Sequence, residues 1–295
     1  MMRPQKLKNI PRAQTTRILD LSNELLLLIA ENLSLSDFSH FVSTSRHLAS
    51  LLTPVLYSRP FLGRTRPGYR GVFNALERAA ICGDASLAEL AISKGANVQK
   101  CKGTPLHLAA EYDQPDVIRV LVKNGAHINT TDIYLATPLS MAASLQSAQA
   151  VKVLLELGAD MTITDAGGLP PAHLSASLGD IDSMRYFVGA GLDFSLRDTE
   201  GWTILHDAAM GATEMLEYLL GQGGRRIINV QDCRGMTPLH VVAFYRRGAD
   251  LAWLLLEKGA DMGVKDNRGR TAMDWAVMLR DDSMIEVLLE FEGNA

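Results

Sequence analysis

The side chains best suited to acid–base or metal chemistry are four histidines that share one position in a recurring pattern: His107, His173, His206 and His240. Imidazole is the side chain that most readily exchanges protons near neutral pH. However, a ring that hydrogen-bonds the same turn in each copy is a simpler explanation than four active sites at one repeated position. We therefore interpret these histidines as structural and predict no catalytic residue among them.

A second recurring group consists of four aspartates: Asp165, Asp198, Asp232 and Asp266. Carboxylates are good Ca²⁺ ligands, but the neighbouring residues lack the spacing of acidic ligands in a calcium loop. An aspartate side chain also accepts hydrogen bonds from the backbone of a tight turn. Because the residue recurs at one place in each copy, we interpret it as a turn former and predict no metal and no cofactor.

The cysteines and the glycine-rich stretches do not indicate an enzyme either. Cys82, Cys101 and Cys233 are odd in number and widely separated, which predicts neither a zinc half-site nor a disulfide framework. Reduced thiols are typical of the cytoplasm and nucleus. The stretches 167–168 and 221–224 lack the Lys and Ser/Thr of a phosphate-binding loop. The sequence therefore predicts a protein without a catalytic constellation.

The composition indicates a folded protein whose main part is acidic. Of the 295 residues, 47% are hydrophobic, enough for a sizeable core, and the net charge is −4. Residues 72–295 contain 19 basic and 29 acidic side chains. A surface that binds nucleic acid normally has the opposite balance, and no apolar run is long enough to cross a bilayer. We predict no nucleic-acid partner, no membrane partner, and residence in the cytoplasm or the nucleus.

The elements that must position these residues repeat along the chain. The Thr or Pro that opens each copy lies at positions 104, 137, 170, 203, 237 and 271, in steps of 33 or 34 residues. A fixed period of this length predicts a stacked array. The most regular copies combine an N-cap Thr (104, 137 and 237) followed by Pro, a short helix, a second amphipathic helix, and a terminating Gly.

The stretch TPLHLA at 104–109 matches the T-P-L-H-x-A signature, and the array resembles ankyrin repeats over 72–295. The resemblance implies an all-α solenoid of about seven helix-turn-helix units joined by hairpin loops. Several openings depart from the signature, as at Pro170, Ile204 and Ala272. The first unit lacks the capped opening and is predicted to be an N-terminal cap. One-residue insertions are predicted near 221–227 and 246–249.

The first 60 residues lack this period and form a separate part of the chain. Residues 1–17 contain five basic side chains and no acid, which predicts a disordered tail. Three short helices are predicted within 18–58, and residues 59–71, with three Gly and two Pro, are predicted to be a linker. Five consecutive aliphatic residues, 25–29, exceed what one helical face can bury. Their surplus faces either the array or a partner protein.

The stretch LSNEL at 21–25 resembles the LPxEL opening of the F-box, with Ser22 where the family usually has Pro. The resemblance covers 18–58 and implies docking on a Skp-type adaptor and, through it, on a cullin–RING ubiquitin ligase. The residues that it implies for adaptor contact are Leu21, Ser22, Leu25, Leu28, Ile29, Leu33 and Phe38. In the alternative, the first of these helices packs on the first repeat instead.

The ankyrin resemblance also implies a binding face, made of the hairpin tips and the adjoining side of each first helix. The positions that it implies for contact with a client protein are Tyr112, Tyr134, Trp202, Met210, Arg234, Met236, Phe244, Tyr245 and Arg268. Trp, Tyr and Arg are over-represented at interface hot spots. The aromatic residues at 202 and 244–245 form either one exposed patch or packing between units.

Two hypotheses of different classes follow. In the first, the chain is the substrate-recognition subunit of an SCF-type (Skp–cullin–F-box) ubiquitin ligase, with a client protein held by the ankyrin repeats. In the second, it is a non-catalytic scaffold for protein–protein interaction, and its N-terminal helices cap the solenoid. Neither hypothesis identifies the client.

Overall fold

The structure is a computed structural model, and it describes residues 75–99, 104–211 and 213–294 together with the backbone of 61–62 and 72–73. The predicted tail, the F-box-like module and most of the predicted linker lie outside the described residues. So do all seven residues implied for adaptor contact: Leu21, Ser22, Leu25, Leu28, Ile29, Leu33 and Phe38. These assignments remain predictions.

Backbone contacts divide the chain into two compact parts of unequal size. One comprises 1–75 with 93–96, and the other comprises 76–92 with 97–295. In the first, two short strands, β1 (Phe61–Leu62) and β2 (Val72–Phe73), pair antiparallel with Phe61 opposite Phe73. The ends of the predicted linker are therefore joined by a strand pair.

The larger part is helical. The described residues form fourteen α-helices in seven consecutive pairs, which we call units 1 to 7. Their bounds are α1 (Ala75–Cys82), α2 (Ala85–Ser93), α3 (Pro105–Glu111), α4 (Pro115–Lys123), α5 (Pro138–Ser144), α6 (Ala148–Glu156), α7 (Pro171–Leu178), α8 (Ile181–Gly189), α9 (Ile204–Met210), α10 (Thr213–Gly221), α11 (Pro238–Tyr245), α12 (Ala249–Glu257), α13 (Ala272–Leu279) and α14 (Asp282–Asn294). The seven predicted helix pairs are confirmed.

The first helix of most units begins as its sequence predicts. The Thr104 hydroxyl accepts a hydrogen bond from the backbone N–H three residues later, and Thr137 and Thr237 do the same. Proline follows each of them at the first helical position, where no N–H is needed. Such a cap is worth about 1 kcal/mol, so each of these units carries its own start signal.

Stacking of like helices builds the core. The first helices α3, α5, α7, α9, α11 and α13 pack successively on one another, and the second helices α4, α6, α8, α10, α12 and α14 form a parallel row. Leucines that recur in the first helices, such as Leu106, Leu139 and Leu205, are fully buried. Burying each such side chain contributes about 2 kcal/mol, and because the contribution recurs in several units, the array stabilises itself by repetition.

Unit 4 departs from this pattern and is repacked. Ala172 occupies the place that leucine takes in the neighbouring first helices, and the second helix carries the large side chains of Met184 and Phe187. All three are fully buried. Cores tolerate such exchanges when total volume is kept, which explains how the irregular opening at 170–172 retains the fold.

The backbone is irregular at both positions where the sequence predicts an extra residue. A 3-10 helix (Gly224–Ile227) follows α10, and a Cβ at Gly224 would lie 2.8 Å from the Leu219 carbonyl oxygen. After α11, Gly248 has φ 110°. Both irregularities fall between helices, so the helical rows continue undisturbed.

The described helices are short. None of them combines the length and the apolar composition that crossing a bilayer requires. Cys82 and Cys233, the cysteines among the described residues, are free thiols.

Candidate functional site: the hairpin face of units 5 to 7

The hairpins that precede units 5, 6 and 7 are held by their aspartates. Asp198 Oδ1 accepts the backbone N–H of Glu200 at 2.9 Å and of Trp202 at 2.7 Å. Asp232 and Asp266 make the same pair of bonds in the next two hairpins. The predicted role of these aspartates as turn formers is confirmed, and it fixes the direction in which the following side chains leave the hairpin.

Adjacent hairpins are also bonded to each other. The backbone N–H of Cys233 donates to Glu200 O at 3.0 Å, and that of Asn267 donates to Arg234 O at 3.0 Å. This close approach requires glycine: Gly235 has φ 77°, and a Cβ there would lie 2.6 Å from the Asn267 nitrogen. The three hairpin tips therefore form one backbone-linked edge.

The repeated histidines connect one unit to the next. The backbone N–H of Thr203 donates to His206 Nδ1 at 3.0 Å, so Nε2 carries the proton and donates to Met236 O at 3.0 Å. Burial lowers the pKa of His206 to about 4, which keeps the ring neutral. His107 and His240 make equivalent pairs of contacts. The structural interpretation of these three histidines is confirmed.

Four aromatic rings meet beside the hairpins, and we call them the aromatic cluster: Trp202, Phe244, Tyr245 and Trp275. The ring centroids of Trp202 and Tyr245 are 6.4 Å apart, and those of Phe244 and Trp275 are 4.7 Å apart, both edge to face. Phe244 and Tyr245 lie 4.8 Å apart. Edge-to-face pairs stabilise beyond their burial by about 1 kcal/mol each, so the cluster ties units 5, 6 and 7 together.

The turn aspartates hold the two tryptophans of the cluster by hydrogen bonds. The indole N–H of Trp202 donates to Asp232 Oδ2 at 3.1 Å, and that of Trp275 donates to Asp266 Oδ2 at 3.1 Å. Trp202 and Phe244 remain half-buried, and Tyr245 is 38% exposed. The two alternatives for these aromatics, exposed patch and inter-unit packing, therefore coincide: the rings pack between units, and those of Trp202, Phe244 and Tyr245 stay partly exposed.

A cavity of about 290 Å³ opens beside the cluster, between the hairpins of units 6 and 7. Phe244 and Trp275 line its apolar side, and Arg234, Arg268 and Arg270 line its polar side. Aromatic rings and basic side chains thus meet in this cavity.

Asp266, the acidic residue in the wall of this cavity, already has hydrogen-bond partners within the protein. Burial would raise the pKa of Asp266, but hydrogen bonds from the backbone and the guanidinium of Arg270, with further bonds from Arg268 N–H and Trp275, lower it to about 2. Arg270 donates to Asp266 Oδ2 at 2.9 Å and lies 3.6 Å above the Trp275 ring. Asp266 and Arg270 thus neutralise each other inside the wall.

The remaining residues implied for client contact lie at separate places or are buried. Tyr134 is 67% exposed on the hairpin before unit 3, and Tyr112 and Met210 are half-buried at the ends of α3 and α9. Met236 is 3% exposed, and its backbone N–H and carbonyl are bonded to Asp232 and His206. Its side chain therefore offers little surface to a client, in contrast to Arg234 and Arg268, which are exposed.

Sequence reasoning missed Trp275, which completes the cluster. The available signal was a tryptophan in the first helix of unit 7, where the equivalent positions in units 2 and 6 carry Leu108 and Val241. Within the described residues, no group of three or more His, Cys, Asp or Glu side chains has the arrangement of a metal site.

Two solved structures match most of this chain. The ankyrin repeat domain of Bcl-3 has a TM-score of 0.64 at 24% identity, covering 73% of this chain and 98% of that one. The ankyrin repeat domain of human ASB11 has a TM-score of 0.64 at 25% identity, covering 74% and 98%. These likenesses show the fold.

Curated proteins match over shorter stretches. Neurogenic locus notch homolog protein 1 of Xenopus laevis is 38% identical over 78 residues, 26% of this chain. Rabankyrin-5 of Homo sapiens is 31% identical over 97 residues, 32% of this chain. The matches span only 3% and 8% of the lengths of those proteins.

A family model described as ankyrin repeats matches residues 76–165, 139–228 and 224–295, which together cover the helical array. No family model of an F-box matches residues 18–58. The match extends over more than half of the chain and agrees with the capped openings, the turn aspartates and the two helical rows. The chain belongs to the ankyrin-repeat family, and its array is a protein-interaction domain.

Proposed function

We propose that the chain is a non-catalytic recognition protein that binds a client protein through the hairpin face of units 5 to 7. The observation that carries the proposal is the aromatic cluster, in which Trp202, Phe244 and Tyr245 are partly exposed near Arg234 and Arg268. Aromatic and arginine side chains supply most of the energy at protein interfaces. Because the hairpins are bonded to one another, the face is preorganised, which reduces the entropy cost of binding.

A similar solved chain supports a role in protein binding. It comes from a structure described as the Bd0816 predatory endopeptidase from Bdellovibrio bacteriovorus in complex with immunity protein Bd3460. The likeness has a TM-score of 0.56 at 27% identity and covers 63% of this chain.

The client-binding face is tested by affinity purification of the intact chain followed by mass spectrometry. Replacing Trp202→Ala and Tyr245→Ala together should remove the captured client, because both rings are partly exposed. The matched control is Trp253→Ala, a tryptophan 39% exposed in α12 on the second-helix row. The proposal fails if the double variant and the control capture the same proteins.

The finer proposal concerns the N-terminal region. Residues 18–58 dock a Skp-type adaptor and link the client to a cullin–RING ubiquitin ligase, where proximity to the charged ubiquitin carrier accelerates transfer. Its support is the sequence pattern of 18–58, with the aliphatic surplus at 25–29. The alternative is a scaffold with no role in ubiquitylation, in which the N-terminal helices cap the array.

One substitution that introduces a charge distinguishes adaptor docking from a structural cap. Leu25→Asp should abolish co-purification with a Skp-type adaptor and leave thermal unfolding of the array unchanged, because a carboxylate is costly in an apolar interface. A well-folded chain that does not bind the adaptor at micromolar concentration excludes the ligase role. If Leu25→Asp, or deletion of 1–60, also lowers the melting temperature or causes aggregation, the helices are a structural cap.

A further inference from the structure

The cavity between the hairpins of units 6 and 7 has an unusual charge for its surroundings. Residues 72–295 carry ten more acidic than basic side chains, as 29 against 19. The cavity wall nevertheless contains three arginines, at 234, 268 and 270. This local reversal of sign in an acidic domain favours the cavity as a binding surface for an anion.

The acidic side chains near the cavity offset only part of this charge. Asp232 and Asp266 are both buried, and in each carboxylate Oδ1 accepts two backbone N–H groups while Oδ2 accepts an indole N–H. Their oxygens are thus directed into the wall and occupied. The guanidinium groups are what the cavity presents to solvent.

The three arginines differ in how far their guanidinium groups are already paired within the protein. Arg270 is held by Asp266 at 2.9 Å and covers the Trp275 ring. Arg234 lies 3.4 Å from Asp232 Oδ2 through its Nε, also hydrogen-bonds to the Tyr245 side chain, and stays exposed. Arg268 is exposed, and within the described part of the chain its guanidinium forms no ion pair. Arg268 is therefore the group available to a ligand, with Arg234 as its neighbour.

The opposite wall selects for an apolar group and against a cation. Phe244 and Trp275 meet edge to face at 4.7 Å and line the cavity together. Aromatic rings attract cations as well as apolar groups, but the face of Trp275 is already covered by Arg270. A lysine or methyl-lysine ligand would meet three arginines and an occupied ring.

We propose that this cavity binds a peptide segment of the client that places an anionic side chain against Arg268 and an adjacent apolar side chain against Phe244. This inference rests on the proposed client-binding role and names the chemistry that the face recognises. The anion is a carboxylate or a phosphorylated side chain, since a guanidinium forms two parallel hydrogen bonds to either.

The test uses fluorescently labelled synthetic peptide pools with random flanks around a fixed centre. The centres are Glu-Phe-Glu, phosphoserine-Phe-phosphoserine, Lys-Phe-Lys and Glu-Gly-Glu, and binding to the intact chain is followed by fluorescence anisotropy. At least one anionic Phe pool should bind about tenfold more tightly than the Lys pool. The stronger of the two anionic pools identifies the source of the negative charge. Loss of affinity on replacing Phe by Gly is expected from the aromatic wall.

Charge reversal then locates the site. Arg268→Glu should weaken the anionic pool about tenfold or more, whereas Arg225→Glu, the same change at an exposed arginine outside the cavity, should weaken it less than about twofold. Arg268→Gln should give an intermediate loss, and circular dichroism melts show whether each variant is folded.

The inference is overturned if neither anionic pool exceeds the Lys pool at about 100 μM peptide, or if the two charge reversals weaken binding equally. The proposed contact of an apolar side chain with Phe244 is overturned if Glu-Gly-Glu binds as well as Glu-Phe-Glu. The proposed function is judged separately: client capture that depends on Trp202 and Tyr245 but survives Arg268→Glu supports the face and refutes the cavity.

Discussion

Units 4 and 5 join the next unit of the stack through the same residue type but with different chemistry. In unit 5, neutral His206 is fully buried, accepts from the Thr203 N–H and donates to Met236 O of the next unit. In unit 4, His173 Nδ1 lies 2.8 Å from Asp207 Oδ2 of the next unit, and both residues are buried. One junction is a neutral hydrogen bond and the other is a buried histidine–aspartate pair.

The reason for the difference lies in two substitutions within the repeat. Pro170 stands where the other units have threonine, so the hydroxyl that would contact the histidine is missing. Asp207 stands where units 2 and 6 carry Leu108 and Val241. Burial raises the pKa of Asp207, and the hydrogen bond from His173 opposes that shift. The array therefore conserves the link between units while changing the atoms that make it.

Unit 4 also carries unmet hydrogen-bonding groups. Within the described residues, the buried side-chain polar atoms without a partner are Ser175 Oγ, Asp180 Oδ2 and Ser183 Oγ, all in this unit. Each such group costs about 1–3 kcal/mol. We therefore expect unit 4 to be the least stable part of the stack and the place where it opens first.

The largest expected effect comes from breaking the buried pair. Asp207→Val should lower the free energy of unfolding by about 3 kcal/mol, because His173 then remains buried without its partner. Chemical denaturation measures the loss. Adding Pro170→Thr to Asp207→Val supplies a hydroxyl for the ring and should recover part of it. A loss below about 0.5 kcal/mol would show that the pair does not hold the junction.

The neutral junctions should make the protein sensitive to acid. The pKa of His206 is lowered from 6.5 to about 4, so between these values only the unfolded chain binds the proton. Its contribution is complete above about pH 6.5 and is lost as pH falls toward pH 4, by about 2.5 kcal/mol at about pH 4.5. His206→Gln should flatten this dependence in denaturation curves. His127→Gln, at an exposed histidine, should leave it as in the parent chain.

The smallest effect is a gain of stability in unit 4. Ser175→Ala and Ser183→Ala remove buried hydroxyls without partners and introduce the residue that unit 3 carries at the equivalent positions, Ala142 and Ala150. Each change should raise the free energy of unfolding by about 1 kcal/mol. Amide hydrogen exchange should slow in α7 and α8 and stay the same in α11. Faster exchange in α7 would contradict the expected weakness of this unit.

Much of the array could be predicted because its determinants are local. Thr104 and Thr237 cap helices that begin at the next residue, and Asp198 bonds to amides two and four residues later. Such patterns are readable from a single copy and reinforced by repetition. The aromatic cluster was predicted in part, through Trp202, Phe244 and Tyr245. Trp275 was missed because it lies in another unit, in a position usually filled by an aliphatic residue.

The sequence by itself determined the number of units, their start and stop signals, and the turn chemistry of the hairpins. Only the tertiary structure decided that His173 faces Asp207, 34 residues away, and that Arg270 neutralises Asp266 while Arg268 remains available. The reason is physical. Periodic signals act through hydrogen bonds between near neighbours in the chain, whereas charge pairing and ring contacts depend on which side chains meet once the units are stacked.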